Sequence, residues 1–396
     1  MNAMTDSNAL LPHTDVLIVG AGITGLAHAA EAVARGLSVR IIDRDTRAVG
    51  ASVRNFGHCC VTAQSGELLE LATVAREGWL RHSQMAGFFS VESGGLAIAR
   101  SSQEVAVLEE LSQARGSSEV QLINAAQVRQ ELSGHGDPAI QAGALLRDDI
   151  RVDPREAVGK LAAWLARQPR VSFLWRTSYL RTDPEATEDA VSVRTSRGTL
   201  TASRVLVCVG HDLDYVHPEM AEPLAVDRCA LQMALVRPAA SLSIRRAVLT
   251  GTSMLRYPAF AETAAAVQLR NELAAGSPEL MAIDANLMLT QRPDGTLIIG
   301  DSHHTETTLD PFLMEQTSDT LLTAATKLLG AGNFQILQRW QGIYATSPHQ
   351  NFLIKSLAPN VTAVSVTSGI GMTISFGLAR KTFEQLETTS ATTATR

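Results

Sequence analysis

Residues 15–43 constrain this chain more than any other stretch. Asp15 to Val19 is a short apolar, β-branched run that reads as a buried parallel strand. Gly20-Ala21-Gly22-Ile23-Thr24-Gly25 then turns the chain. Leu26 to Arg35 reads as a helix stopped by Gly36, and Ser38 to Ile42 as a second strand ending at Asp43. This is a βαβ unit with G-x-G-x-x-G between strand and helix. Gly20 permits the tight turn, Gly22 lets backbone approach a pyrophosphate, and Gly25 lets helix and strand pack closely. The helix start offers unpaired N–H groups and partial positive charge to phosphates. Asp43 can accept from ribose hydroxyls and would repel a 2′-phosphate. A glycine triplet alone is a weak signal. With both strands, the helix and the acid in place it specifies a dinucleotide site rather than a bare glycine turn.

Composition supports a globular chain of two or three domains, since 396 residues carry 45% apolar and 19% charged side chains. A net charge of -6 gives no broad attraction for nucleic acid or anionic membrane. The four cysteines, Cys59, Cys60, Cys208 and Cys229, show no C-x-x-C spacing. A zinc site or disulfide framework is not expected, and the chain reads as reduced and cytoplasmic. Met1 to Thr14 lacks the pattern of a signal peptide, and no window approaches the ~20 apolar residues of a membrane span. No internal repeat is present, and the Thr/Ser/Ala-rich tail from Glu387 to Arg396 is expected to fray.

Further along, helices are expected over Glu67–Gly87, Glu104–Ala114, Arg155–Arg167 and Phe312–Leu329. Strands are expected over Val171–Leu174, Val191–Thr195, Val205–Val209, Arg228–Val236, Asn286–Thr290, Thr296–Ile299 and Asn360–Val366. A second glycine cluster, Ser368-Gly369-Ile370-Gly371-Met372-Thr373, lies between that last strand and a final helix. A nicotinamide dehydrogenase would hold its whole cofactor in one half of the chain. A second set of backbone N–H groups near the C-terminus favours a longer, extended ligand, FAD.

With these segments the chain resembles the D-amino-acid-oxidase superfamily of FAD-dependent amine oxidoreductases, over roughly Asp15 to Gln385. The resemblance rests on Gly50-Ala51-Ser52-Val53-Arg54-Asn55-Phe56-Gly57, Val205-Leu206-Val207-Cys208-Val209-Gly210, Asp294-Gly295-Thr296-Leu297-Ile298-Ile299-Gly300 and the C-terminal Ser-Gly-x-Gly. A narrower likeness, to a subgroup associated with phosphonate breakdown, rests on Arg54-Asn55-Phe56-Gly57, Leu255-Arg256-Tyr257, Gly300-Asp301-Ser302-His303 and Trp340-Gln341-Gly342-Ile343-Tyr344. The fold implied is α/β, with a discontinuous Rossmann-like FAD domain from 14–90, 150–225 and 335–390. An α+β substrate domain with an antiparallel sheet would come from 91–149 and 226–334.

The resemblance implies a cofactor contact set. It comprises Gly20, Gly22, Ile23, Thr24, Gly25, Asp43, Arg44, Ser52, Arg54, Asn55, Phe56, Gly57, His58, Tyr179, Val209, Gly210, Gly369, Ile370, Gly371, Met372 and Thr373. Departures from relatives are equally informative. Gly342 stands where sarcosine oxidases carry the flavin-attaching Cys, and Asn55 is near the position of an attaching His, so FAD is expected to be non-covalent. Thr373 and Tyr344 stand where relatives place a Lys and an Arg that clamp a substrate carboxylate. Ile298 is near the position of a Lys associated with oxygen, which leaves oxygen or another electron acceptor open.

The implied reaction is oxidative deamination of a small amine bearing an acidic group. The best expectation is 2-aminoethylphosphonate or its N-methyl derivative, giving an aldehyde plus ammonia or methylamine. The alternatives are a glycine, sarcosine or D-amino-acid oxidase or dehydrogenase, and a flavin-binding subunit without catalysis. An anionic head group needs several donors, for which Arg is suited. Arg54, Arg256, Tyr257, His303, His304 and Tyr344 are therefore the substrate-pocket candidates, and His58, Tyr257, His303 and Tyr344 the candidates for catalysis. Of the two adjacent histidines only one should face inward, because a strand alternates its faces. No third ligand at useful spacing joins them, so no metal is expected. Cys59-Cys60 and Trp340 read as packing, and His349 as surface.

Overall fold

In the computed structural model the strand Thr14–Val19 lies between two parallel neighbours, Val39–Asp43 and the end of Gly198–Val207. Successive side chains point to opposite faces, and both faces are dry. Val16 and Ile18, with Val39, Ile41 and Leu206, enter one core. Leu17 and Val19, with Ile42, Val205 and Val207, enter another. This explains why the run is continuously apolar rather than alternating. The structure describes residues 13–183 and 190–394, with side chains described to 388. Most of the segment Met1–Thr14 lies outside the described residues.

The first sheet has eight strands. Val171–Trp175 extends it beyond Val39–Asp43, and Val361–Val366 pairs parallel with Gly198–Val207. Helices Ile23–Ala34, Gly66–Ala86, Pro154–Leu165 and Gly371–Ala394 cover one face. On the other, Tyr179–Thr182 and Val191–Thr195 form an antiparallel flap. The second sheet has nine strands, all paired antiparallel except Ala247–Leu249 with Gly95–Ala99. Its two faces bury separate cores, one under Ser102–Arg115 and Ala265–Gly276, the other under Glu315–Leu329.

Four expectations are corrected. The strand Phe334–Thr346, assigned above to the first unit, pairs along its length with Asp227–Pro238 in the second sheet. The helix expected from Phe312 begins at Glu315, because Phe312 and Met314 are exposed and give the helix no apolar anchor before it. The strand expected over Val205–Val209 is the end of a longer one, Gly198–Val207. The last helix continues through Glu387 to Ala394 instead of fraying there; 395–396 lie outside the described residues.

Helices Gly66–Ala86 and Gly371–Ala394 pack tightly against each other. A Cβ on Gly377 would overlap the Leu71 carbonyl oxygen. Trp79 stands edge-on between Phe88 and Phe376, at 5.8 and 5.2 Å, and its Nε1–H donates to the Met372 carbonyl at 2.6 Å. This contact positions the second glycine cluster. Gly377→Ala should therefore destabilise the fold by about 1–3 kcal/mol, the usual scale of an overpacked core. Gly159→Ala, on the exposed face of Pro154–Leu165 with open space around it, should stabilise by about 0.4–1 kcal/mol. Urea denaturation of the two variants measures both.

Candidate active site

The parallel strands of the first sheet end together, and a groove of about 560 Å³ opens beyond their carboxyl ends. Gly20 sits at φ +104°, and a Cβ there would overlap the Cys208 carbonyl oxygen. Gly25 is equally tight, since a Cβ would overlap Gly20's own carbonyl. These contacts bring the start of helix Ile23–Ala34 onto the strand ends. That helix has no side-chain cap. Its first N–H, on Ile23, donates to Ser52 Oγ at 2.9 Å. The next two, on Thr24 and Gly25, have no intrahelical acceptor, and Thr24 lines the groove.

Asp43 closes this end. Its carboxylate accepts from Ala21 N–H at 2.7 Å and Asp45 N–H at 2.9 Å. Burial raises its pKa, and those two bonds oppose the rise. Arg44 reaches Asp212 at 2.8 Å, and both residues line the groove. Tyr179, Val209 and Gly210 form its far wall, with the Tyr179 hydroxyl bonded to Thr182 and His217, each at 3.0 Å. Arg54 and Asn55 continue the lining, and Arg54 Nη1 donates to the Gln341 carbonyl at 3.0 Å. Gly369, Gly371 and Met372 line the opposite end.

Six expected cofactor contacts sit behind the groove, Gly25 among them, packed on Gly20. Phe56 is buried in the second-sheet core and its carbonyl accepts from Thr290. Gly57 packs so closely on Val152 that a Cβ would overlap its carbonyl oxygen. Ile370 packs with Val61, Leu68 and Leu71. Thr373 Oγ1 contacts Cys60. His58, expected beside the substrate, instead pairs with Asp149 at 2.7 Å, with both side chains essentially inaccessible. Asp149 also accepts from Thr62 N–H. The short strand His58–Cys59 pairs with Ile150–Val152, and the buried imidazole does not line the groove.

At the other end of the groove stands Tyr344, with its ring against Gly369. Arg256 Nη2 donates to the Tyr344 hydroxyl at 2.6 Å, and Nη1 lies 3.5 Å from Asp284. Arg256 also faces a second cavity of about 320 Å³, whose wall includes Arg270, Thr252, Thr346 and Ser368. His303 turns inward, with its side chain only 4% exposed, and its ring stands edge-on to Tyr344 at 6.3 Å. His304 points to solvent and pairs with Glu306, so it is removed from the pocket candidates. Tyr257 lies behind Arg256, its hydroxyl 3.3 Å from Met288 Sδ. Among the described residues no group of three or more His, Cys, Asp or Glu could hold a metal ion, and no helix is long and apolar enough to cross a membrane.

The sequence reading did not single out Asp301 and Asn286. Asp301 closes the strand Leu297–Gly300 and is buried within reach of the Arg256 charge, with the Asn286 side chain bonded to it. Burial drives its carboxyl up to about 7, against the pull of the Arg256 guanidinium. Burial and Arg256 together drive His303 down to about 3. Burial holds the Tyr257 and Tyr344 phenols well above their ordinary value. Burial opposes the charge of Arg256, but Tyr344 and Asp301 outweigh it and its pKa is raised. The acid was present in Gly300-Asp301-Ser302-His303. In a pocket searched for cations, it carried no signal.

Residues 15–385 match the DAO family, described as FAD dependent oxidoreductase, and the chain belongs to that family. It is a FAD-dependent oxidoreductase, and the groove suits its cofactor. A glycine-built cradle at an uncapped helix start would receive the phosphates, Asp43 would meet the ribose, and a second glycine segment lines the same groove. Solved structures share the fold. Glycine oxidase from Bacillus cereus superposes with a TM-score of 0.76 at 17% identity, covering 95% of each chain. L-proline dehydrogenase from P. horikoshii gives 0.76 at 19%, covering 95% of this chain and 94% of that one. L-alpha-glycerophosphate oxidase from Mycoplasma pneumoniae, with FAD bound, gives 0.76 at 17%, covering 95% of each. No curated protein matches the sequence significantly.

Two outcomes follow. Asp43→Ala should weaken FAD binding about ten- to a hundredfold, the scale of charged hydrogen bonds worth about 1.5–3 kcal/mol. Titration of the apoprotein with FAD, followed by flavin fluorescence, measures it. Asp301 has a folded pKa raised above its unfolded value, so its contribution to stability is present below about pH 4 and lost as pH rises through about 7. The Tm of Asp301→Asn should therefore improve relative to the parent as pH rises across that window. A Tm difference independent of pH would contradict the assignment.

Proposed function

We propose that this enzyme oxidises the C–N bond of a small amine that carries an acidic group, with 2-aminoethylphosphonate or its N-methyl derivative as substrate. One observation carries the reading. Arg256, a partly buried guanidinium, is bonded to Tyr344 on the wall of the FAD groove and itself lines a neighbouring polar cavity. Proteins of this fold include a glycine oxidase, an L-proline dehydrogenase and an L-amino acid deaminase, whose named substrates all join an amine to an acid.

The choice of phosphonate rests on the donors. Tyr344 and Thr373 replace the cations that the family resemblance associates with a carboxylate. Arg256 and Arg270 share the wall of the second cavity. Two guanidiniums suit a tetrahedral, doubly charged head group better than a planar carboxylate needs.

FAD, held along the groove by Gly20, Gly22, Ser52 and Asp43, would supply the hydride acceptor for the carbon beside the nitrogen, and water would hydrolyse the resulting imine to an aldehyde and ammonia or methylamine. The chain's residues bind and orient. Arg256 holds the anionic group, and the Tyr344 hydroxyl holds Arg256. His303 is neutral, and its Nδ1–H donates to the Asp284 carbonyl at 2.9 Å. The positive charge of Arg256 disfavours an ammonium nearby, which promotes the neutral amine that oxidation requires. Gly342 on the groove wall offers no nucleophile for attachment, so FAD is held by non-covalent contacts.

The holoenzyme should be bleached anaerobically by 2-aminoethylphosphonate or its N-methyl derivative. Bleaching by glycine, sarcosine or a D-amino acid but by neither phosphonate would reject the phosphonate and retain the amine chemistry. Arg256→Gln should raise KM about a hundredfold with a smaller change in kcat, as expected for loss of a buried charge-assisted contact worth about 3 kcal/mol. An unchanged KM would remove Arg256 from the substrate site.

A further inference from the structure

Asp301 has no part in the reaction described above, yet it is a buried acid that feels the charge of the anion anchor. Its residue is 4% exposed, and its Oδ1 meets no donor. Its backbone is fixed by a reciprocal pair, Asn286 N–H to the Asp301 carbonyl at 2.8 Å and Asp301 N–H to the Asn286 carbonyl at 3.0 Å. A buried carboxylate with an empty acceptor position is costly unless a nearby cation supports it.

The groups around Asp301 pull in opposite directions. Arg256 favours the carboxylate. His303 favours the acid. Its Nδ1 must carry the proton to bond the Asp284 carbonyl, so Nε2 presents a lone pair toward Asp301 Oδ2 at 3.9 Å. A lone pair facing a carboxylate is repulsive, whereas it is compatible with a protonated acid. The balance between these forms therefore depends on how fully Arg256 is available to Asp301. An anion docked on Arg256 takes up that charge and adds its own repulsion.

We propose that Asp301 is a positioning residue that couples docking of the substrate's anionic group on Arg256 to uptake of a proton by the Asp301 carboxylate. The inference rests on Arg256 being the anion anchor. The proton comes from solvent, one O–H bond forms at the carboxylate, and no other bond changes. With a singly charged anion, the net charge of the buried cluster is the same before and after. While Asp301 is ionised, it offsets the charge of Arg256 and weakens anion binding. Once protonated, it leaves Arg256 fully available.

The other groups facing this cluster keep one charge state near neutrality. Tyr257, Tyr344 and Cys229 hold their protons because burial raises them. His303 stays neutral, and Cys60, against Tyr257, is pushed up to about 12. Asp284 lies on the solvent side of Arg256. Asp301 itself is driven up to about 7 by burial.

The test uses ethanesulfonate, an amine-free anion of fixed charge, titrated into the holoenzyme and followed by the flavin absorbance change. In the parent enzyme Kd should rise about tenfold from about pH 6 to about pH 9, which corresponds to a one-unit rise of the Asp301 pKa on binding. Asp301→Asn should bind tightly at both ends of the range. With the phosphonate amine as substrate, the same substitution should lower KM at high pH and leave kcat little changed, a split that a merely structural role would not produce.

Calorimetry of the parent in two buffers of different ionisation heat should show net proton uptake near neutral pH, and this decides the matter even if the variant does not fold. A flat Kd profile in the parent, absence of proton uptake, or an unaltered slope in Asp301→Asn would overturn the inference. If Arg256→Gln binds ethanesulfonate as well as the parent, the anchor reading itself fails. If Arg256→Gln loses binding while the parent profile is flat, only the role of Asp301 fails.

Discussion

The architecture depends on one steric constraint, the contact of three backbones around Gly20. The turn after Thr14–Val19, the first turn of helix Ile23–Ala34 and the carbonyl of Cys208 meet where no side-chain carbon could fit. Because Gly20 and Gly25 lack one, the helix start can approach the carboxyl ends of the central strands. The FAD groove is the space left beyond that junction. Ser52 and Asp43 complete it by accepting from the N–H groups of Ile23 and Ala21, which also fixes the loop 50–55 against the helix. The phosphate site is thus built from backbone, and its side chains hold the backbone in place.

The second sheet reaches this groove through Phe334–Thr346 and, at Leu231, its neighbour Asp227–Pro238. Phe334–Thr346 belongs to the second sheet by pairing, yet Gly342, Ile343, Tyr344 and Ala345 line the groove of the first. Two hydrogen bonds lock the junction. Arg54 Nη1 donates to the Gln341 carbonyl, and Trp340 Nε1 donates to the Arg54 carbonyl. Trp340 also carries the Arg155 guanidinium over its ring at 4.6 Å. A chain division drawn along the sequence put this strand with the wrong sheet, because a strand that serves both units carries no composition change at its start.

The nucleotide end was largely legible in the sequence because its requirements are local. A turn, a helix start and an acid at the next strand end recur at fixed offsets, and Gly20 through Asp43 satisfied them in one stretch. The substrate end was legible only in part. Arg256, His303 and Tyr344 were named, and the alternation of a strand predicted that one of His303 and His304 would face outward. His58 was misread because its position in sequence, just after a cofactor loop, says nothing of Asp149, which captures its imidazole from far along the chain. Asp301 was missed for the same kind of reason. Its meaning comes from Arg256 and Asn286, which reach it through the folding of the second sheet.

The substrate end has a consistent electrostatic logic. A guanidinium can be kept partly buried only if acids or phenols lie near it, and Arg256 has Tyr344, Asp301 and Asp284 around it. Full neutralisation would leave it without attraction for an anion, and no neutralisation would make it too costly to bury. The arrangement is intermediate. Tyr344 supplies an acceptor that carries no charge near neutrality, Asp284 stands 3.5 Å away on the solvent side, and Asp301 can give up its charge by taking a proton. A tyrosine at position 344 therefore does more than omit a cation. It supplies the neutral partner that lets a guanidinium approach from the neighbouring segment and still retain positive charge for an incoming ligand.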